Sequence, residues 1–375
     1  MTCIPTGKVE SGRRALRLYL PLVAIILVAW ALQLYGLESK SLWHDELGTL
    51  RNSGWGGSWL DAIRNPLIIP TLPKPPLSFV VTRAFMTLGD TAFALRLPSV
   101  FFATLTIAVT YALARVLFGT RVGLLAAFLL AIAPLHVRYA QEARMYSMLA
   151  FFSILSLYLF WRAVRVRSGC WWALFAAATA LNLYTHQFAF LSLGVTALFG
   201  LWLLVDGRAR PQFPFRTWHF LAALAGICLS YLPMASFFLE GLTSEEGLGG
   251  SAPPAYGELT WSLASFSSAF RLFGGANDVG LPLYAGLCAL ALVMLAVQQR
   301  TLLQHRTADP QPDSALQIRT SRALALLALW MVLPLVIVLS IPTGHGVRIR
   351  YLLFLLPVFL LLVAYALDLI ILWAG

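Results

Sequence analysis

Ten apolar runs, each close to the length that crosses a bilayer, constrain this chain more than any other feature. They cover residues 18–36, 97–117, 121–136, 146–163, 170–184, 188–205, 219–238, 279–297, 322–341 and 351–370. A hydrocarbon core about 30 Å thick takes about 20 apolar residues per helix. No water is available there to satisfy backbone polar groups, so runs of this kind form helices. Composition agrees, with 59% hydrophobic and only 11% charged residues in 375. Soluble domains carry roughly 25% charged residues, and disordered chains need low hydrophobicity. Both classes are excluded. The expected fold is an all-α polytopic membrane protein, a single transmembrane domain over 1–375 with about ten spans.

The net charge of +11 then has to be placed. Positive loops stay on the cytoplasmic side. Lys8, Arg13, Arg14 and Arg17 precede the first span, which lacks a small-residue cleavage site and reads as an uncleaved anchor. Basic stretches recur at Arg162–Arg167, Arg208–Arg216 and Arg300–Arg322, with Arg115 and Arg121 flanking a short turn. Alternating spans put all of them on one side. That inner side holds 16 Lys and Arg and five acids, whereas the outer side holds 11 of each. The whole net charge is therefore an orientation signal, and no nucleic-acid partner is implied. The expected location is the cytoplasmic (inner) membrane, both termini inside. The apolar segment 76–89 carries Arg83 and is expected to lie at the outer surface or to re-enter. Four cysteines show no metal spacing and no external disulfide. The polar stretch 298–321 reads as a cytoplasmic loop.

Outer loops longer than a connection needs are where function concentrates. The first, 37–75, contains Trp43-His44-Asp45-Glu46 and Lys74-Pro75-Pro76. A carboxylate at the membrane surface gains basicity, so Asp45 suits a general base. The alternative is a solvated acid pair beside the interfacial anchor Trp43. In the second loop, Glu142 offers a second carboxylate for a divalent cation, with Asp45 or Glu46, and Arg144 a phosphate ligand. Alternatively, Arg138, Glu142 and Arg144 form interfacial salt bridges, and Tyr139 and Tyr146 belong to an aromatic belt either way. Arg348 and Arg350 begin the last span on the outer side, against the usual charge bias. Guanidinium grips phosphate bidentately, and snorkelling to headgroups is the alternative. His186 ends a span, as a packed polar cap or a ligand. The Gly/Pro-rich loop 239–278 reads as a lid. No P-loop is present.

Several strings recur in this order in the GT-C membrane glycosyltransferases. They are Trp43-His44-Asp45-Glu46, Lys74-Pro75-Pro76-Leu77, Arg96-Leu97-Pro98-Ser99, Gln141-Glu142-Ala143-Arg144-Met145-Tyr146 and Arg350-Tyr351-Leu352-Leu353. The chain resembles the branch related to protein O-mannosyltransferases and the lipid A aminoarabinose transferase, over about residues 15–360. The resemblance implies the GT-C fold, with a catalytic first outer loop carrying juxtamembrane helices. It implies a polyprenyl-phosphate sugar as donor and a lipid, glycan or protein acceptor on the outer side. Asp45 then sits at the catalytic centre beside Glu46. Arg350 and Tyr351, with Arg348 and Arg144, match the donor-phosphate site. His44, Lys74, Glu142, Tyr146 and His186 support it. Glu46 and Glu142 would hold a divalent cation, Mg, Mn or Zn, if the reaction uses one. Many members continue beyond a position equivalent to Gly375, in a part that often reads the acceptor.

The activity expected is an inverting glycosyl transfer with Asp45 as base. The rivals are a lipid-linked glycan flippase and an O-antigen-type ligase or polymerase. A transporter places polar residues at the bilayer midplane in paired repeats. Here titratable residues gather at one face, which favours the enzyme.

Overall fold

The computed structural model describes residues 7–69, 74–166, 168–209, 217–243, 313–340 and 349–374. Every regular element among them is helical. Thirteen α-helices run α1 (Gly7–Leu34), α2 (His44–Asn52), α3 (Asp61–Leu67), α4 (Leu77–Phe85), α5 (Ala92–Phe118), α6 (Thr120–Ala131), α7 (Pro134–Ala140), α8 (Tyr146–Arg165), α9 (Gly169–Leu183), α10 (Ala189–Ala209), α11 (Thr217–Thr243), α12 (Asp313–Ser340) and α13 (Leu356–Ala374). Short 3-10 segments occupy Met86–Leu88 and Ile349–Leu355.

Six of the described helices are long and apolar enough to cross a membrane, and a bent pair makes a seventh. They include α5, α8, α10 and α11. α1 and α9 contain shorter apolar stretches, Tyr19–Leu34 and Gly169–Leu183. The expected span 279–297 lies outside the described residues, as do residues 244–278 of the expected lid and most of the 298–321 loop.

One expected span is interrupted. The run 121–136 forms α6 only to Ala131, and α7 leaves at 60°. Pro134 stands at the start of α7. Proline lacks an N–H and pushes the preceding residue out of the α region, so the helix stops and restarts. Ala133 accordingly has φ −65° and ψ 116°. At the other end of α6, Gly119 has φ +104°, a conformation that costs glycine little. It permits the reversal from α5 into α6.

α8 is the central helix, with 83% of its most apolar window buried, against 28% for α11. It packs on α5 and α9. α13 lies along α6 and α5, α11 on α9, and α12 on α10. Phe160, Trp172, Phe175 and Phe199 fill the space between α8, α9 and α10. α4 has nine residues, about 14 Å at 1.5 Å per residue, less than half a bilayer core. It rests on α3 and α5, and Leu77 N–H is bonded to the Tyr184 carbonyl at 3.0 Å. The segment 76–89 therefore docks at one end of the bundle. α2, the start of α5, the 141–145 turn, residues 184–188 and the 3-10 segment Ile349–Leu355 meet at the same end.

Candidate active site

Arg96 organises this end. It sits near the start of α5 and is buried, and a buried charge must be paired. Nε and Nη2 donate to the two oxygens of Glu46 at 2.8 and 2.7 Å. Nη1 donates to the carbonyls of Leu37 and Lys40, and Nη2 also to Ser41. All five guanidinium donors can be accounted for this way. Glu46 Oε1 also accepts the Ala143 N–H at 2.9 Å, and Oε2 the Trp43 N–H at 3.4 Å. The ion pair thus ties the first loop to α5 and to the 141–145 turn.

This corrects the expectation for Glu46. Its carboxylate is fully buried and its acceptor sites are filled, so it is an anchor and not a reacting group or metal ligand. Nothing in the Asp45-Glu46 dipeptide distinguished the two acids. The available signal was Arg96, a charge at the edge of a long apolar run, which the resemblance included in Arg96-Leu97-Pro98-Ser99 without a role.

With Glu46 turned inward, the neighbouring helical residue Asp45 points elsewhere, since successive helical side chains diverge by about 100°. Arg350 Nη1 donates to Asp45 Oδ2 at 2.8 Å, and Arg144 Nη2 lies 3.9 Å from the same oxygen. Arg144 is itself held by its Nη1 bonds to the Asp45 carbonyl at 3.0 Å and Thr49 Oγ1 at 3.3 Å, and by Nη2 to the Tyr146 hydroxyl at 3.4 Å. The Arg350 guanidinium lies 5.8, 5.7 and 5.5 Å from the ring centroids of Trp43, Tyr146 and Tyr351. Such cation–π contacts restrain a guanidinium without using its hydrogen-bond donors. The Nε atoms of Arg144 and Arg350 are buried with no hydrogen-bond partner among the described residues. The site therefore holds two fixed cations around one carboxylate that remains 24% exposed.

Lys74 completes the group. Its N–H is bonded to the Pro66 carbonyl at 2.9 Å. Burial, then Arg144, lowers the ammonium below the usual lysine range, with Asp45 opposing and Arg350 reinforcing. His186 packs against Tyr146, Tyr351 and Phe188, with centroids 5.9, 5.8 and 5.5 Å away. Asp45, Arg144, Arg350, Tyr351, Tyr146, Lys74 and His186 are thus brought together from five separate segments of sequence.

Other expected residues are not part of this cluster. Glu142 faces Arg138 at 3.5 Å. Burial raises its pKa, against the pull of Arg138. His44 is exposed at the first residue of α2. Arg348 lies outside the described residues. The carboxylate pair expected for a divalent cation, Glu46 and Glu142, is committed to Arg96 and Arg138. Among the described residues no group of three or more His, Cys, Asp or Glu side chains is arranged to hold a metal ion. The donor set does not fit the expected cation.

The sequence profile of the family described as dolichyl-phosphate-mannose-protein mannosyltransferase matches residues 73–236. The structure is similar to ArnT from Cupriavidus metallidurans bound to undecaprenyl phosphate, with TM-score 0.60 and 16% identity over 92% of this chain and 60% of that one. The apo form of that protein gives TM-score 0.55 at 18% identity, covering 92% and 59%. The archaeal oligosaccharyltransferase AglB from Archaeoglobus fulgidus, in complex with an inhibitory peptide and a dolichol-phosphate, gives TM-score 0.56 at 14% identity, covering 95% and 51%. No curated protein sequence matches the chain. The chain has the GT-C fold, as the resemblance in its sequence implied, and it is a multi-pass membrane protein. It spans about three fifths of the length of the ArnT structures.

Proposed function

We propose that this protein transfers a sugar from a polyprenyl-phosphate donor to a hydroxyl acceptor, with inversion, at the outer surface of the cytoplasmic membrane. The observation that carries this reading is the Asp45 carboxylate set against Arg350 and Arg144, with Lys74 beside them. The acceptor oxygen attacks the anomeric carbon and its proton passes to Asp45. The bond from that carbon to the phosphate oxygen breaks, and its electron pair leaves on the phosphate. Polyprenyl phosphate already carries negative charge and gains more as it departs. Fixed cations in a site screened from water stabilise that charge without reorganising. Arg350, Arg144 and Lys74 supply them.

The basic loops support an outward-facing site, because the end that holds Asp45 lies opposite the Arg-rich turns. The ArnT relative bound to undecaprenyl phosphate supports a lipid phosphate as the donor's leaving group. The test is a panel of radiolabelled polyprenyl-phosphate sugars offered to membranes containing the protein. Labelled product with release of polyprenyl phosphate is expected. Release of polyprenyl diphosphate would move the protein to the ligase or polymerase class, and no turnover across the panel would reject the reading.

A further inference from the structure

The glycosyl-transfer reading uses the carboxylate and the cations but leaves His186 without a task. Its position is unusual for a histidine. It lies in the short turn between α9 and α10, held by its N–H bond to the Asn182 carbonyl at 3.2 Å. Nδ1 accepts the Phe188 N–H at 3.1 Å. In a neutral imidazole that leaves the proton on Nε2. Nε2 has no hydrogen-bond partner among the described residues. Its ring lies 5.9 and 5.8 Å from those of Tyr146 and Tyr351, the aromatics that also flank Arg350. The ring is steadied by Tyr146, Tyr351 and Phe188, all but Tyr146 partly exposed.

We propose that His186 reads the donated sugar, its Nε2–H hydrogen-bonding a hydroxyl of the sugar ring while Arg350, Arg144 and Lys74 take the phosphate. The inference rests on the glycosyl-transfer reading above and adds the residue that recognises the transferred group. The surroundings favour an uncharged partner. A fourth cation would repel Arg350, Arg144 and Lys74, whereas a neutral donor does not. Burial, followed by the charges of Arg144, Lys74 and Arg350, pushes the imidazole pKa down to about 3. It therefore stays neutral, with its donor in place, across the working pH range. Partly exposed rings of Tyr351 and Phe188 beside it offer the apolar platform that carbohydrate-sized ligands use alongside a few placed polar groups.

Two substitutions separate the hydrogen bond from the packing. His186→Phe keeps a ring among the aromatics and removes the N–H. His186→Gln keeps an N–H donor and removes the ring. The probes are the polyprenyl-phosphate monosaccharide that the wild type turns over and polyprenyl phosphate without sugar. Loss of one neutral hydrogen bond predicts about a tenfold rise in donor KM for His186→Phe. Binding of sugar-free polyprenyl phosphate should stay unchanged, and His186→Gln should recover most of the loss. Equal weakening toward both lipids would assign His186 to the phosphate and overturn the proposal. So would wild-type donor KM in His186→Phe, or a loss in the Gln variant as deep as in the Phe variant. If the wild type turns over no donor, the glycosyl-transfer reading itself falls and this inference falls with it.

Discussion

Arg350 and Asp45, 305 positions apart in sequence, form a 2.8 Å ion pair that closes the ring of elements around the candidate active site. One partner sits in the 3-10 segment that leads into α13 and the other in the first turn of α2. In the proposed reaction, phosphate and carboxylate would compete for one guanidinium. A donor that engages Arg350 would draw it from Asp45 and leave the carboxylate to take the acceptor proton.

Asp45→Asn is accordingly expected to have two opposite effects. Removing the general base should cut turnover by about 10²–10⁴-fold. Removing the competing charge should tighten binding of polyprenyl phosphate several-fold. Turnover and lipid binding measured on the same preparation check both, and retained turnover would sink the assignment of the base.

Arg350→Ala should raise donor KM by tenfold or more, because a charge-assisted bond to phosphate is lost. Arg350→Lys should rescue only in part. A lysine keeps the charge but loses the planar fork and the stacking on Trp43, Tyr146 and Tyr351. An unchanged KM in the alanine variant would exclude a phosphate role.

Glu46→Ala should act on stability. It strands Arg96, a cation buried at the start of α5, and removing one partner of a buried ion pair costs about 3–5 kcal/mol. Thermal unfolding in detergent should show the loss. The double variant Glu46→Ala with Arg96→Ala should cost less than the two single changes summed. A Glu46→Ala protein as stable as the wild type but inactive would return Glu46 to the chemistry.

Lys74 gives a pH dependence with a defined sign. Burial and Arg144 lower its pKa, so it loses its proton at a lower pH than an ordinary lysine. The cation it would supply to the phosphate in the proposed reaction is present below that pKa and absent above it. Donor affinity should therefore weaken on the alkaline side earlier than an unperturbed lysine would produce. Lys74→Arg should move that limb to higher pH, since guanidinium does not deprotonate in this range. A limb that stays in place would assign it to another group.

Much of the fold was legible in the sequence. Span positions followed from apolar run length, because a bilayer sets how many apolar residues a crossing helix needs. The list of candidate residues held most of the site, because charged groups beside a membrane are costly and rarely idle. The interrupted span was legible in principle, since Pro134 sits two residues from its expected end. The division of labour between neighbouring acids was not. Asp45 and Glu46 are adjacent acids, and the sequence places both at the catalytic centre without showing which faces the cations.

What separated them is helix geometry combined with long-range packing. Adjacent positions in α2 face directions about 100° apart. Arg96 stands on one side and Arg350 with Arg144 on the other, brought there by the packing of α5, α8 and the segment leading into α13. Glu142 turns to Arg138, four positions away and within reach of a local pattern, whereas Arg144 reaches Asp45 across the fold. The sequence alone determined that this chain is a helical membrane protein with its informative charges at one face, because lipid imposes that through the length and composition of each local run. Only the tertiary structure decided which acid faces which cation, because that depends on contacts between residues 50 to 305 positions apart that no local pattern encodes.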